Sequence, residues 1–111
     1  AKYLNEKLKS IKQVKIIDER KKFKSVYHLY QFYCERRDQL NNYLRKNKID
    51  SKIHYPKPLH LHEAAKKFSY HKKEFGYAEE LAKKVISIPV HEFITKKQLN
   101  FMISKIQRFY K

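Results

Sequence analysis

The chain has 111 residues, of which 41% are hydrophobic, so it can form one domain with a real core and is not a disordered tail. Its formal net charge of +16 is typical of proteins that meet polyanions, but lysine outnumbers arginine 22 to five and the charge is spread along the chain, which favours a solvated surface. The single glycine, Gly76, excludes glycine-rich phosphate loops, and the single cysteine, Cys34, excludes an intrachain disulfide and favours a cytoplasmic location.

The first half of the chain is predicted to alternate helix and strand. Apolar residues at helical spacing in "AKYLNEKLKSI" predict an amphipathic helix that ends near Ser10, and "QVKII" is a candidate short strand within the charged connector 12–24. Aromatic and β-branched residues predict a strand over 25–34, covered on both faces, with His28 as a hydrogen-bonded histidine in or beside the sheet.

A second amphipathic helix is predicted in "RRDQLNNYLRKN", whose apolar residues form one stripe. The turn after it falls on Asn47 or Lys48, and asparagine tolerates the left-handed conformation better. "DSKIHYP" then predicts a short strand that runs into a bend stiffened by Pro56 and Pro58.

The second half continues the alternation. "LHEAAKKF" predicts one or two helical turns, "YAEELAKKV" a helix with acids early and lysines late, and "ISIPV" a short strand that Pro89 stops. Thr95 and Gln98 form a capping box for a helix over 95–110. The order of elements predicts an α+β or α/β arrangement, in which helices pack on a small sheet of about three strands.

Three segments in this order resemble one known family. "VYHLYQFYCERRDQLNNYLRKNKI", "IHYPKPLHLHEAA" and "YAEELAKKVISIPVHEFITKKQLNFMISKIQRFY" are similar to the C-terminal part of the DegT/StrS nucleotide-sugar aminotransferases. The chain departs from the family pattern at turns, since Lys48 stands at a common glycine position and Tyr77 at a common proline position. "VHEF" replaces the usual histidine-proline pair.

The resemblance implies an α+β small domain of a fold-type-I aminotransferase spanning residues 1–111, in which 1–24 are the helix and connector from a larger preceding domain. It further implies pyridoxal phosphate held by that larger domain, a nucleotide-sugar substrate, an amino donor such as glutamate, and a homodimer. We therefore expect the chain to be a fragment that has no turnover alone. No catalytic or cofactor-binding residue is expected within it.

The same resemblance implies substrate contacts in the proline bend. His54 and Tyr55 match the histidine-tyrosine pair that reaches the nucleotide-linked sugar, and His60 matches a second histidine that lines or supports the cleft. The competing interpretation is that these side chains are hydrogen-bonded packing residues. A metal site over residues 54, 60 and 62 is disfavoured because cysteine is absent there and Glu63 is the only nearby acid.

Other reactive side chains are interpreted as structural. Cys34 is expected to be a buried thiol, although Arg36 and Arg37 are near in sequence. Glu79 and Glu80 are interpreted as a pair that complements the helix dipole. An alternative function remains open, in which the charge of +16 marks a non-enzymatic module that binds polyanions or nucleic acid. We expect neither nucleic acid nor a membrane as the partner, since arginine is scarce and no apolar run has the length of a membrane span.

Overall fold

The computed structural model describes residues 1–19, 22–68 and 74–111, so residues 20–21 of the predicted connector lie outside it. In chain order the elements are α1 (Lys2–Leu8), β1 (Val14–Ile16), β2 (Tyr30–Cys34), α2 (Arg37–Lys46), two 3-10 helices (Leu59–Leu61 and Glu63–Phe68), α3 (Gly76–Lys84), β3 (Val85–Ile88) and α4 (Lys96–Phe109). None of the helices in these ranges has the length and apolarity that a membrane crossing needs.

The strands form one antiparallel sheet in the order β1-β2-β3, which confirms the α+β class with three strands. The alternation along β2 decides which face is core. Tyr30, Phe32 and Cys34 are buried, while Gln31 and Tyr33 point to the opposite, half-buried face. The predicted strand is therefore fully covered on one face only.

The core lies between the buried face of the sheet and three helices. α4 contacts both α1 and α2, and its buried residues Met102, Ile103 and Ile106 belong to the same cluster as Leu4 and Leu40. The first turn of α4 has the predicted capping box. Gln98 N–H donates to Thr95 Oγ1 at 3.2 Å, and Thr95 N–H donates to Gln98 Oε1 at 2.8 Å, which satisfies two of the free amides at this end.

A buried arginine ties α2 to the junction of α3 and β3. Arg37 is 7% exposed, and its Nη1 donates to the carbonyls of Ala82 and Val85 at 3.0 and 3.1 Å. Its Nε lies 2.7 Å from an Asp38 carboxylate oxygen without the alignment of a hydrogen bond, so that contact is an ion pair. These bonds satisfy carbonyls that the end of α3 leaves without intrahelical partners.

The strand prediction over 25–34 was wrong in its first half. Residues 25–29 carry no strand because β1 pairs only with Phe32–Cys34 and β3 only with Tyr30–Tyr33, so no described strand lies opposite them. His28 is exposed in a bend, which corrects its placement as a hydrogen-bonded histidine in or beside the sheet.

Two smaller predictions also need correction. The strand expected in 50–56 is reduced to one bridge between Lys52 and Ser87, because the backbone beyond it bonds to a side chain: the His54 carbonyl accepts from Gln31. The left-handed residue after α2 is Lys48, with φ 61°, and not Asn47, with φ −89°.

Candidate functional site

The proline bend and α3 enclose an open groove on the half-buried face of β2. Its volume is about 830 Å³, and mostly apolar surface surrounds a few polar groups, as in many ligand sites. β2 contributes Gln31 and Tyr33, and α3 contributes Ala78, Leu81 and Ala82. The bend contributes His54, Tyr55, Pro56, Lys57, Pro58, Leu59, His60 and His62.

His54 is half-buried and is held from two sides. Its Nδ1 lies 2.9 Å from Ser87 Oγ, and its carbonyl accepts from Gln31 Nε2 at 2.8 Å. Both partners belong to the sheet, so the ring is fixed to the most regular part of the fold. Little conformational entropy remains to be lost when this side chain binds a ligand.

Tyr55 extends from the bend into solvent. Its side chain is 75% exposed, and its ring meets the His54 ring edge-on, with centroids 5.8 Å apart. The interior of this domain therefore does not contain the phenol. The phenol is placed to contact whatever covers or fills the groove.

His60 joins the bend to α3. Its side chain is 12% exposed, its Nε2 lies 3.1 Å from Glu79 Oε1, and its ring packs 4.8 Å from that of Phe75. Glu79 thus contacts a histidine of the groove in addition to lying in the first turn of α3. The structure brings His54, Tyr55 and His60 to one groove, with His60 at its supporting wall.

His62 has a local role in the bend. It is exposed, and its Nε2 donates to the carbonyl of Lys57 at 3.2 Å, which closes the turn that contains Pro58. Within the described ranges, no group of three or more histidine, cysteine, aspartate or glutamate side chains is arranged to hold a metal ion.

Two polar residues of this site were missed by the sequence reasoning: Gln31 and Ser87. Each interrupts an apolar strand, in "YQFYC" and "ISI" respectively, and this isolated polarity was the available signal. They are opposite each other in the register of β2 and β3. Only the fold shows that they meet His54.

Cys34 is buried, as expected, and it is a poor nucleophile. Burial raises the pKa of its thiol to about 11, more than the hydrogen bond with Tyr110 and the nearby charge of Arg37 lower it. Arg36 does not activate it either, since the guanidinium stacks 4.7 Å from the Phe109 ring and 5.3 Å from that of Tyr110.

Pyridoxal phosphate does not fit this groove as the described residues of the chain form it. Among the described residues, Lys57 is the one lysine that lines the groove, and none of the described lining side chains is a carboxylate that could face a pyridine nitrogen. A phosphate cradle needs closely approaching backbone amides, and the only glycine, Gly76, lies exposed at the start of α3.

A sequence model of the DegT/DnrJ/EryC1/StrS aminotransferase family matches residues 1–107. Over 86 residues the chain is 30% identical to a pleiotropic regulatory protein of Geobacillus stearothermophilus, a match that covers 78% of this chain and 23% of that protein. Over 84 residues it is 31% identical to the dTDP-3-amino-3,4,6-trideoxy-alpha-D-glucose transaminase of Streptomyces venezuelae, covering 76% of this chain and 22% of that enzyme.

Among solved structures, a DegT DnrJ EryC1 StrS aminotransferase from Brucella abortus superposes with a TM-score of 0.89 at 30% identity. The match covers 98% of this chain and 29% of that one. The chain therefore spans less than a third of the solved relative, and less than a quarter of the two curated relatives.

Proposed function

The chain belongs to the DegT/DnrJ/EryC1/StrS aminotransferase family, and from that premise we propose that it is the small C-terminal domain of a transaminase acting on a nucleotide-linked keto-sugar. The amino donor is an amino acid, glutamate by resemblance to the family. The product serves amino-sugar and surface polysaccharide synthesis in the cytoplasm. The transaminase that is named dTDP-3-amino-3,4,6-trideoxy-alpha-D-glucose transaminase supports the substrate class, because this chain is 31% identical to its matched segment.

The proposal divides the active site between domains. Pyridoxal phosphate, held by a larger preceding domain, supplies the carbonyl that carries the amino group between donor and sugar. Residues 1–24 connect that domain to the groove, and a homodimer completes each site.

The observation that carries the proposal is that His54 and Tyr55 lie on an open face of the domain. Tyr55 is 75% exposed, and His54 lines a groove large enough for a sugar nucleotide moiety. Both offer hydrogen-bonding groups to phosphate or sugar oxygens on a backbone that two prolines stiffen. In this proposal His60 supports the wall through Glu79.

The first experiment reads the coding sequence immediately upstream of Ala1. We expect an α/β domain with a lysine that binds the cofactor and a glycine- and serine-rich phosphate cradle. An unrelated domain at that position would contradict the proposal. The 111-residue chain itself should show no transaminase turnover and no cofactor imine absorbance that borohydride removes, and finding either would contradict the division of the site.

The second experiment tests the groove in the protein that contains both domains. His54→Ala and Tyr55→Phe should each raise KM for the nucleotide sugar about tenfold, since each removes one hydrogen bond of about 1.4 kcal/mol. His91→Ala is the matched control, because His91 is exposed and does not line the groove. Equal effects of the three substitutions would contradict the proposed substrate contacts.

The charge of +16 supports the competing function of a polyanion-binding module. Binding of duplex or single-stranded oligonucleotides is the discriminating measurement. Tight binding that persists at moderate salt favours the module, whereas weak binding that disappears with salt reflects charge alone.

A further inference from the structure

Three polar side chains meet beside the groove: Gln31 and His54, which line it, and the buried Ser87, which lies within hydrogen-bond distance of both. The antiparallel register places Gln31 directly opposite Ser87, so their side chains share one face of the sheet. On the side of Ser87 away from Gln31, two backbone hydrogen bonds of 3.0 and 2.8 Å join Ser87 to Lys52. His54 follows two residues later, and its ring lies against Ser87, with Nδ1 2.9 Å from the Ser87 Oγ.

The direction of each hydrogen bond in this cluster can be assigned from donor and acceptor chemistry. The His54 carbonyl can only accept, so the atom of Gln31 that lies 2.8 Å from it is the amide nitrogen. The same nitrogen lies 3.4 Å from Ser87 Oγ and can only donate to it. Gln31 therefore supplies hydrogens to both neighbours and accepts from neither.

The Ser87 hydroxyl must then find an acceptor for its own hydrogen. Ser87 is 4% exposed, so bulk water does not reach it freely. In the part of the chain that the structure describes, the acceptor at hydrogen-bond distance is His54 Nδ1, 2.9 Å away. An imidazole nitrogen that accepts a hydrogen bond carries no proton.

We infer that Ser87, oriented by Gln31, is a positioning residue that fixes the tautomer of the neutral His54 imidazole, with the proton on Nε2. His54 then presents an N–H donor on the ring edge away from Ser87, toward the groove that it lines. The group that this donor would meet is an acceptor oxygen of a phosphate or a sugar. His54 is not placed to act as a base through Nε2.

The ligand side of this inference rests on the proposed function, but the tautomer does not. The two nitrogens of a neutral histidine are distinct by long-range proton–nitrogen NMR. We would label the 111-residue chain with ¹⁵N-histidine and record spectra at about pH 8, above the range in which ordinary histidines titrate. The assignment of His54 follows from its loss in His54→Ala.

We expect His54 to show one tautomer, with Nδ1 free of hydrogen. His28 and His91 are exposed and serve as internal controls that average between tautomers. A His54 signal with the proton on Nδ1, or one averaged like those of His28 and His91, would overturn the inference. This measurement needs no substitution at Ser87, so it stands even where such a substitution disturbs folding.

Variants test the cause of the preference. Ser87→Ala removes the donor and should leave His54 with averaged tautomers, whereas Ser87→Thr keeps the hydroxyl and should keep the tautomer. Gln31→Leu removes the amide that orients Ser87 and should weaken the preference. An unchanged His54 spectrum in folded Ser87→Ala would show that Ser87 does not set the tautomer.

A binding measurement separates this inference from the proposed function. In the protein with both domains, Ser87→Ala should raise KM for the nucleotide sugar about fivefold with little change in kcat, because His54 remains but is no longer held as a donor. Loss of the tautomer without any change in KM would overturn the positioning role. If His54→Ala also leaves KM unchanged, the proposed substrate contact fails, while the tautomer measured in the spectrum stands.

Discussion

Lys48 lies just after the end of α2, and its backbone has a conformation that suits glycine better than lysine. Its φ is 61°, in the left-handed region, where a side chain costs about 1–2 kcal/mol. Lys48→Gly removes that strain at the expense of greater freedom in the unfolded chain. We expect a net gain of about 0.5–1 kcal/mol in the free energy of unfolding, measured by urea denaturation.

Arg45→Gly is the matched control for Lys48→Gly. Arg45 is exposed and lies within α2, where glycine is unfavourable. Its replacement removes one positive charge, as the replacement of Lys48 does. We expect this variant to be destabilised by about 0.5–1 kcal/mol. Destabilisation of both variants would contradict the assignment of strain to residue 48.

The position of that turn could be predicted, but not the residue that takes the left-handed conformation. Propensity favours Asn47, since its short polar side chain tolerates that region. In the structure the Asn47 side chain instead donates to the carbonyl of Tyr43 at 2.8 Å, which keeps Asn47 on the right-handed side of the turn. Lys48 then makes the reversal. The hydrogen bond from Asn47 to Tyr43 therefore determines that Lys48, and not Asn47, takes the left-handed conformation. The composition of the turn does not show that bond.

The start of α4 depends on a single cap that the sequence shows. Thr95→Ala removes the oxygen that accepts from Gln98 N–H, so we expect a loss of about 1 kcal/mol in the free energy of unfolding. Thr95→Ser keeps that oxygen and should lose at most a few tenths of this. Urea denaturation of both variants measures the difference, and equal losses would show that the cap contributes little.

Helices were easier to predict than strands because their signals are local. The capping box and the apolar stripe of α4 lie within its own residues, and the predicted span 95–110 agrees with Lys96–Phe109. The length of β2 depends instead on β1 and β3, which are three and four residues long. Val26 and Tyr27 favour a strand by propensity, but they could not form one without a partner strand to bond.

The candidate site was predictable only where the chain brings its parts together in sequence. His54, Tyr55 and His60 lie within seven residues of one bend, and the family motif marks them. Gln31 and Ser87 are 56 positions apart and meet through strand register. Their importance to His54 follows from the fold and could not be read from spacing.

At the scale of the whole molecule, the buried side chains of Tyr30 and Cys34 and the half-buried Tyr110 predict instability in alkali. Burial raises the pKa of Cys34 to about 11 and raises those of Tyr30 and Tyr110 above the ordinary tyrosine value. The unfolded chain ionises these groups near their ordinary values, about 8.5 for cysteine and about 10 for tyrosine. The unfolded state therefore loses protons first as the pH rises.

The stabilisation from Cys34 is fully present below about pH 8.5 and is lost as the pH rises toward 11, whereas that from Tyr30 and Tyr110 begins to be lost near pH 10. We expect the free energy of unfolding to fall by about 2 kcal/mol between about pH 7.5 and about pH 10.5, measured by urea denaturation. Cys34→Ala should show a smaller fall over the same interval. A stability that is constant across this range would contradict the burial of these side chains.

The measurement that tests the account most directly is an NMR titration of the ¹⁵N-labelled 111-residue chain with dTDP-glucose, at low and at moderate salt. If the groove binds the nucleotide-linked sugar, chemical-shift changes should cluster at four of its lining residues and persist at moderate salt. These residues are Gln31, Tyr33, His54 and Tyr55. The His54→Ala variant should lose them, and His91→Ala should not. Chemical-shift changes that spread over the exposed lysines, do not include the groove and disappear at moderate salt would contradict the account.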